Sequence, residues 1–332
     1  MTINRQFIIE RIPSGPLTAD CFRIEHAEMP VPQEGEVLLK ARYMSIDAAS
    51  RAWMQGATYR DALGTESIMA GRAVAEVVES RHPDFQPGDL AFAEFGWQEY
   101  AALPATALRK QPNEQPLSHL LSVYGVSGLT AYFGLLEVAQ AKAGDTVVIS
   151  AAAGSVGHFA GQIARLLGCR VVGIAGSKAK CDWLTGELGF DAVINYKTGG
   201  LAEQLKTACP DGIDVYFDNV GGATLEVVLA QMNLHGRIAC CGAVSSYDSG
   251  QPEHGPRGVP FLLVVNRLIM RGFIVSDFFA QMDQAQAQLH AWVEQGGIKV
   301  AEDILDGFES LPAALIGLLN GENRGKRMVK IA

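Results

Sequence analysis

Short apolar runs divided by turns fill the first 125 residues, and another rhythm replaces them afterwards. Glu36–Ala41 (EVLLKA) and Ala73–Val78 (AVAEVV) alternate or carry β-branched side chains, the pattern of strands. Pro32-Gln-Glu-Gly35 and Gln86-Pro-Gly-Asp89 punctuate them as turns. From residue 126 to 296 strand and helix alternate. The predicted strands are Thr146–Ser150, Arg170–Gly176, Asp191–Asn195, Ile213–Asp218, Gly236–Cys241 and Gly272–Ser276. Such alternation predicts an α/β fold, a doubly wound, six-stranded parallel sheet covered on both faces. The tail, 297–332, holds a predicted helix from Leu311 to Asn320 and a strand at Arg327–Ile331. It is expected to rejoin the N-terminal domain of residues 1–125, so that the 126–296 domain is an insertion.

Between the first two strands of that insertion lies Ile149-Ser-Ala-Ala-Ala-Gly-Ser-Val-Gly157. Ala152, Gly154, Ser155, Val156 and Gly157 match a G-x-G-x-x-G pattern with alanine in the first place. Small residues let backbone approach a pyrophosphate, and the helix start behind them offers N–H groups and a positive dipole end. Val156, Phe159, Ala160, Ile163, Ala164 and Leu167 then recur at helical spacing and mark a buried face. A tight strand-to-helix turn without a ligand remains the plain alternative; the surrounding alternation favours a dinucleotide. His158 is expected to be a partly exposed residue of the first helical turn.

A dinucleotide site for NAD usually ends its second strand with a carboxylate that holds the ribose 2′-OH. Here that strand runs into Ser177, Lys178 and Lys180, with no Asp or Glu. A hydroxyl and two ammonium groups suit a 2′-phosphate, which points to NADP(H). The alternative is a pair of solvated lysines opening the next helix.

Composition narrows the partners. The 332 residues are 48% hydrophobic and 19% charged, with net charge −9. The chain is long enough for two domains and shows no basic stripe, so nucleic acid is not an expected partner. The longest apolar candidate, Phe261–Met270, is broken by Asn266 and Arg267, and no charged-then-apolar leader stands at the start. A cytoplasmic protein without a membrane partner is expected. Cys21, Cys169, Cys181, Cys209, Cys240 and Cys241 form no CxxC pair and are read as idle thiols.

YFDNVGG (216–222), CCGAVSSY (240–247), GLTAYFGLLEV (128–138), AAAGSVG (151–157), INYK (194–197) and GENRGK (321–326) together resemble one branch of the medium-chain dehydrogenases/reductases. That branch is the zinc-free NADPH-dependent double-bond reductases, which include the leukotriene B4 12-hydroxydehydrogenase/prostaglandin reductases, plant alkenal reductases and bacterial curcumin reductase. The resemblance spans nearly the whole chain. It implies a GroES-like β-rich domain, an inserted Rossmann domain, a homodimer joined through the last strand of the sheet, and hydride addition to the C=C of an α,β-unsaturated ketone or aldehyde. It also implies that Lys180 and Tyr196 lie at the 2′-phosphate and that Asn219 and Asn323 hydrogen-bond the cofactor. The zinc enzymes of the superfamily need a Cys and a Gly-His-Glu segment, where this chain has Tyr43-Met-Ser45-Ile-Asp47 and Ala70-Gly-Arg-Ala73. With those donors missing, no metal site is expected.

Two tyrosines compete for proton donation under the same resemblance, Tyr59 in Gln55–Arg60 and Tyr247 in SSYD. Hydride arriving at the β-carbon moves negative charge to the carbonyl oxygen, where a phenol stabilises it and supplies a proton. The hydroxyl of the nicotinamide ribose is the competing donor, and either tyrosine could instead serve only packing. Ile46-Asp47-Ala-Ala-Ser-Arg51 departs from the family's VDPYMR, and Gly125-Val-Ser-Gly128 from its Gly-Met-Pro-Gly. Asp47 and Arg51 are retained in that substrate-facing region, and the smaller neighbours predict a changed substrate preference. Two other functions stay open: a quinone oxidoreductase of the zeta-crystallin type, and an NADPH-binding protein without turnover.

Overall fold

The computed structural model describes residues 3–248 and 255–331, and it resolves into two compact units. The first comprises Met1–Leu121, Glu302–Glu322 and Arg327–Ala332; the second comprises Ser122–Ala301 and Asn323–Lys326.

The first unit is built on an antiparallel sheet. Its strands run in the order Glu302–Asp306, Lys326–Lys330, Glu36–Ser45, Arg72–Ser80, Leu90–Glu94 and Arg109–Gln111, with Tyr100–Pro104 also pairing Glu36–Ser45. The returning tail therefore supplies two neighbouring strands, and Met328 registers with Ser45. Ile9, Leu39, Met44, Trp97, Phe308 and Leu315 fill one core beneath it.

In the second unit the six strands are all parallel. Their order is Ala192–Asn195, Arg170–Ala175, Thr146–Ile149, Ile213–Asp218, Met232–Cys240 and Ile269–Gly272. Chain order reverses beside Thr146–Ile149, and a crevice for ligands forms where such strand order switches. Side chains alternate between two apolar layers, because helices cover both faces. Val147, Ile149, Val215 and Phe217 join Phe159 and Ile163 on one side; Val148, Val172 and Tyr216 join Leu205 and Val228 on the other.

Two expectations are corrected here. The sixth strand is Ile269–Gly272, not Gly272–Ser276, and Val275–Gln281 forms a 3-10 helix. Its parallel partner ends at Cys240, opposite Gly272, so no ladder remains to extend the strand. Phe273 instead turns into the core against Phe217 and Phe278. His158 is fully buried rather than partly exposed. The helix Gly157–Leu166 is enclosed all round as far as Ala164, since Gln162 bonds the backbone of Lys299 in both directions.

Candidate functional site

The loop after Thr146–Ile149 is tightly folded. Ala151 adopts a left-handed φ of 47°. Ala152 N–H donates to Ile174 O at 3.0 Å, and Gly154 N–H to Ala151 O at 2.9 Å. Gly157 begins the helix directly over this turn. A Cβ there would press into the Ala151 carbonyl oxygen and come within 2.8 Å of Ala152 Cα. The glycine is thus required by close approach of helix to loop. Gly154, Ser155 and Val156 stay half-buried at the mouth of the turn, while Ala152 is sealed beneath it. The N-terminus of the helix Gly157–Leu166 thus opens at the mouth of the turn. Gly325 N–H donates to Ala153 O at 2.9 Å, and Asn323 Nδ2 donates to Gly325 O at 2.9 Å. Through those bonds the Asn323 segment is drawn onto the glycine loop.

His158 lies behind the loop, between the rings of Phe159 and Trp183. Its Nδ1 sits 2.8 Å from Gly154 O, while Nε2 is buried with no partner. Burial lowers its pKa from 6.5 to about 4, so the ring is neutral at pH 7 and braces the loop as a hydrogen-bond donor.

At the end of Ile213–Asp218 a second turn is held by one carboxylate oxygen. Asp218 Oδ1 accepts from Tyr216 Oη at 2.9 Å, Val220 N–H at 3.0 Å, Gly221 N–H at 2.9 Å and Ser150 Oγ at 3.3 Å. Asn219 is pinned from both ends: its N–H donates to Ser150 Oγ at 2.9 Å and its Nδ2 to Ser150 O at 2.7 Å. The same turn carries the segment of the second tyrosine. Cys241 N–H donates to Asp218 O at 2.8 Å, Val244 N–H to Asn219 O at 3.2 Å and Ser245 Oγ to Val220 O at 2.7 Å. Tyr247 closes a short helix on itself, its Oη accepting from Ala243 N–H at 3.1 Å. Burial raises its pKa above the usual 10, so the phenol keeps its proton at neutral pH. Tyr216, Asp218 and Ser150 are not among the candidate site residues that the sequence singles out. The only sequence signal for them is the FDNVGG segment itself, because the bonds cross from one strand end to the next.

Beyond Arg170–Ala175, Ser177 caps the helix Lys178–Gly186 by accepting from Lys180 N–H at 3.3 Å. Lys180 is half-buried. Lys178 points outward and grips both oxygens of Asp182, at 2.6 and 2.8 Å. Tyr196 is exposed and its ring lies against Gly176.

In the first unit Tyr59 is 56% exposed, and its ring stands edge-on to Trp53 at 6.2 Å. The Arg60 guanidinium lies 4.4 Å from the Trp53 ring centre, and Arg72 lies 5.9 Å from it while paired to Glu94. Asp47 is half-buried and accepts from Ser45 Oγ at 2.7 Å. Arg51 departs from its expected place facing substrate. It is fully buried and donates to Pro13 O at 3.2 Å and Gly15 O at 2.8 Å, which makes it an anchor for that loop.

Residues 5–111 match a family described as the N-terminal domain of oxidoreductase, and residues 155–294 one described as zinc-binding dehydrogenase. The NADPH-dependent curcumin reductase of Escherichia coli (strain K12) is 40% identical, over 99% of this chain and 97% of that protein. Prostaglandin reductase 1 of Bos taurus is 43% identical, over 99% and 98%. The crystal structure of CurA from Vibrio vulnificus in complex with NADPH covers 99% of each chain at 38% identity, with a TM-score of 0.94. Among the described residues no group of three or more His, Cys, Asp or Glu is placed to hold a metal ion. The similarity runs through both units and the whole sequence, and the chain belongs to the medium-chain dehydrogenase/reductase family of NADPH-dependent reductases.

Proposed function

We infer that this chain is an NADPH-dependent ene-reductase that saturates the C=C bond of α,β-unsaturated ketones and aldehydes without zinc. One observation carries the reading. A tight glycine turn at Ala151–Gly157, braced by the Asp218 turn, occurs in a chain 40% identical along its length to a curcumin reductase.

The half-buried mouth of the turn at Gly154–Val156 fits a dinucleotide phosphate. Gly154, Ser155 and Val156 would line its pyrophosphate, with Ala152 and Gly157 shaping the turn from beneath. Ser177, Lys180 and Tyr196 would face the 2′-phosphate, and Asn219 and Asn323 would hold the nicotinamide half. When bound, NADPH supplies the hydride that reaches the β-carbon of the enone. The chain then has to stabilise charge developing on the carbonyl oxygen and deliver a proton. Tyr247 is the principal donor in this proposal. The Ala243 N–H occupies one lone pair of its phenol oxygen and polarises the O–H. Tyr59 is the auxiliary donor, on a segment seated against Trp53.

The protein is also proposed to be a cytoplasmic homodimer. Helix Val259–Asn266 buries none of its residues completely, with Phe261 68%, Val264 74% and neighbouring Ile269 59% exposed. An apolar patch of this kind beside an edge strand suits a second copy of the chain.

A panel of aliphatic, aromatic and terpenoid enones, together with quinones, tests the reading. NADPH consumption with enones and a product heavier by two hydrogens is expected. Turnover confined to quinones contradicts it.

A further inference from the structure

Tyr59 stands on an exposed loop that is held against one buried indole. Trp53 ends the short helix Ala49–Trp53 and is 2% exposed. Leu63 N–H donates to Trp53 O at 2.8 Å, which returns the loop to the residue where it began. The Trp53 ring meets Tyr59 edge-on at 6.2 Å, with the Arg60 and Arg72 guanidiniums 4.4 and 5.9 Å from its centre. The two cations are fixed differently. Arg60 belongs to the loop itself and reaches Glu94 at 3.4 Å. Arg72 belongs to the strand Arg72–Ser80, in register opposite Glu94 on Leu90–Glu94, and its Nε donates to that carboxylate. A cross-strand ion pair of this kind keeps a long side chain in one place. Burial disfavours the charge on Arg72, but the carboxylates of Asp47 and Glu94 hold its pKa above the usual range, and the Tyr59 phenol acts in the same direction. Arg72 is therefore a fixed positive charge on a strand, sharing the Trp53 ring with a phenol on a loop.

We propose that Arg72 is a positioning residue for Tyr59: locked to Glu94 and laid against Trp53, its guanidinium orients the phenol and offsets the negative charge that develops on it. The inference rests on the proposed ene-reductase function and on Tyr59 as its auxiliary donor. When the phenol gives its proton to the enolate, the charge left on its oxygen faces a cation that no working pH removes, and water then restores the proton. A cation held on a strand needs no rearrangement as that charge appears.

Steady-state kinetics of the full chain with NADPH and a simple aliphatic enone test this through a double-mutant cycle. Arg72→Gln should lower kcat about fivefold or more and change KM for NADPH less than about twofold. Arg72→Lys keeps the charge and should recover most of that loss. In the Tyr59→Phe chain, Arg72→Gln should cost less than about twofold, because its effect passes through the phenol. If Arg72→Gln does not fold, Glu94→Gln unlocks the same guanidinium from the strand and carries the comparison, with a smaller loss that again disappears without Tyr59. The same loss with and without Tyr59, or an unchanged kcat in folded Arg72→Gln, overturns the assignment while leaving enone reduction intact. An unchanged kcat in Tyr59→Phe removes Tyr59 and Arg72 from the mechanism together. A parent chain that does not turn over enones overturns the ene-reductase reading itself.

Discussion

The Tyr216 hydroxyl stands 2.9 Å from Asp218 Oδ1, with both residues shut away from solvent. That oxygen gathers four donors and ties the Asn219 turn to Ser150, at the mouth of the glycine loop. Tyr216→Phe removes one donor and leaves three. It should cost about 1 kcal/mol of stability, readable as a melting shift of roughly 2–4 °C. Asp218→Ala strands two N–H groups and the Tyr216 hydroxyl, and should cost about 2–4 kcal/mol and weaken NADPH binding more than it lowers kcat. Equal melting temperatures for both variants and the parent chain would contradict the bracing role.

The two tyrosines are expected to separate on substitution. Tyr247→Phe should lower kcat by about 10²-fold or more with NADPH affinity little changed, and Tyr59→Phe should have the smaller effect. Because burial holds the Tyr247 phenol above its usual 10, kcat/KM should stay flat between about pH 6 and 9 rather than fall as a phenol ionises. A stopped-flow pH series on each variant checks both statements.

His158 predicts an acid-labile fold. Its pKa falls from 6.5 in the unfolded chain to about 4 in the folded one. The stability held above pH 6.5 is therefore lost as pH drops from 6.5 through about 4, by roughly 3 kcal/mol. Urea titrations at pH 7 and pH 4.5 should show that loss, and His158→Gln should flatten the pH dependence.

Light scattering addresses the exposed Phe261–Val264 face. The parent chain should weigh twice one chain, and Val264→Asp should shift it toward monomer without changing far-UV circular dichroism.

Much of the second unit could be read from the sequence, because strands buried on both faces, such as Thr146–Ile149 and Ile213–Asp218, are continuous apolar runs. Gly157 was equally readable, since only close backbone approach explains a glycine there. What escaped depends on partners distant in sequence. His158 is buried because Lys299 returns across its helix through Gln162, 137 residues away. The Asp218 hub depends on Ser150, 68 residues earlier. Arg51 read as substrate-facing, but its fate is set by the carbonyls of Pro13 and Gly15. Lys178 reads as a candidate for the 2′-phosphate, but Asp182, one turn on, holds its ammonium. The edge strand was misplaced because apolar residues continue past Gly272 into the core, where only the length of the partner strand decides the boundary.

The central claim is hydride addition to a carbon–carbon double bond, and isotope placement tests it most directly. Turnover of a simple enone with NADPH deuterated at nicotinamide C4 should yield a saturated ketone carrying one deuterium on the β-carbon, with the carbonyl intact. Deuterium on a carbinol carbon, or an allylic alcohol as product, would contradict the account.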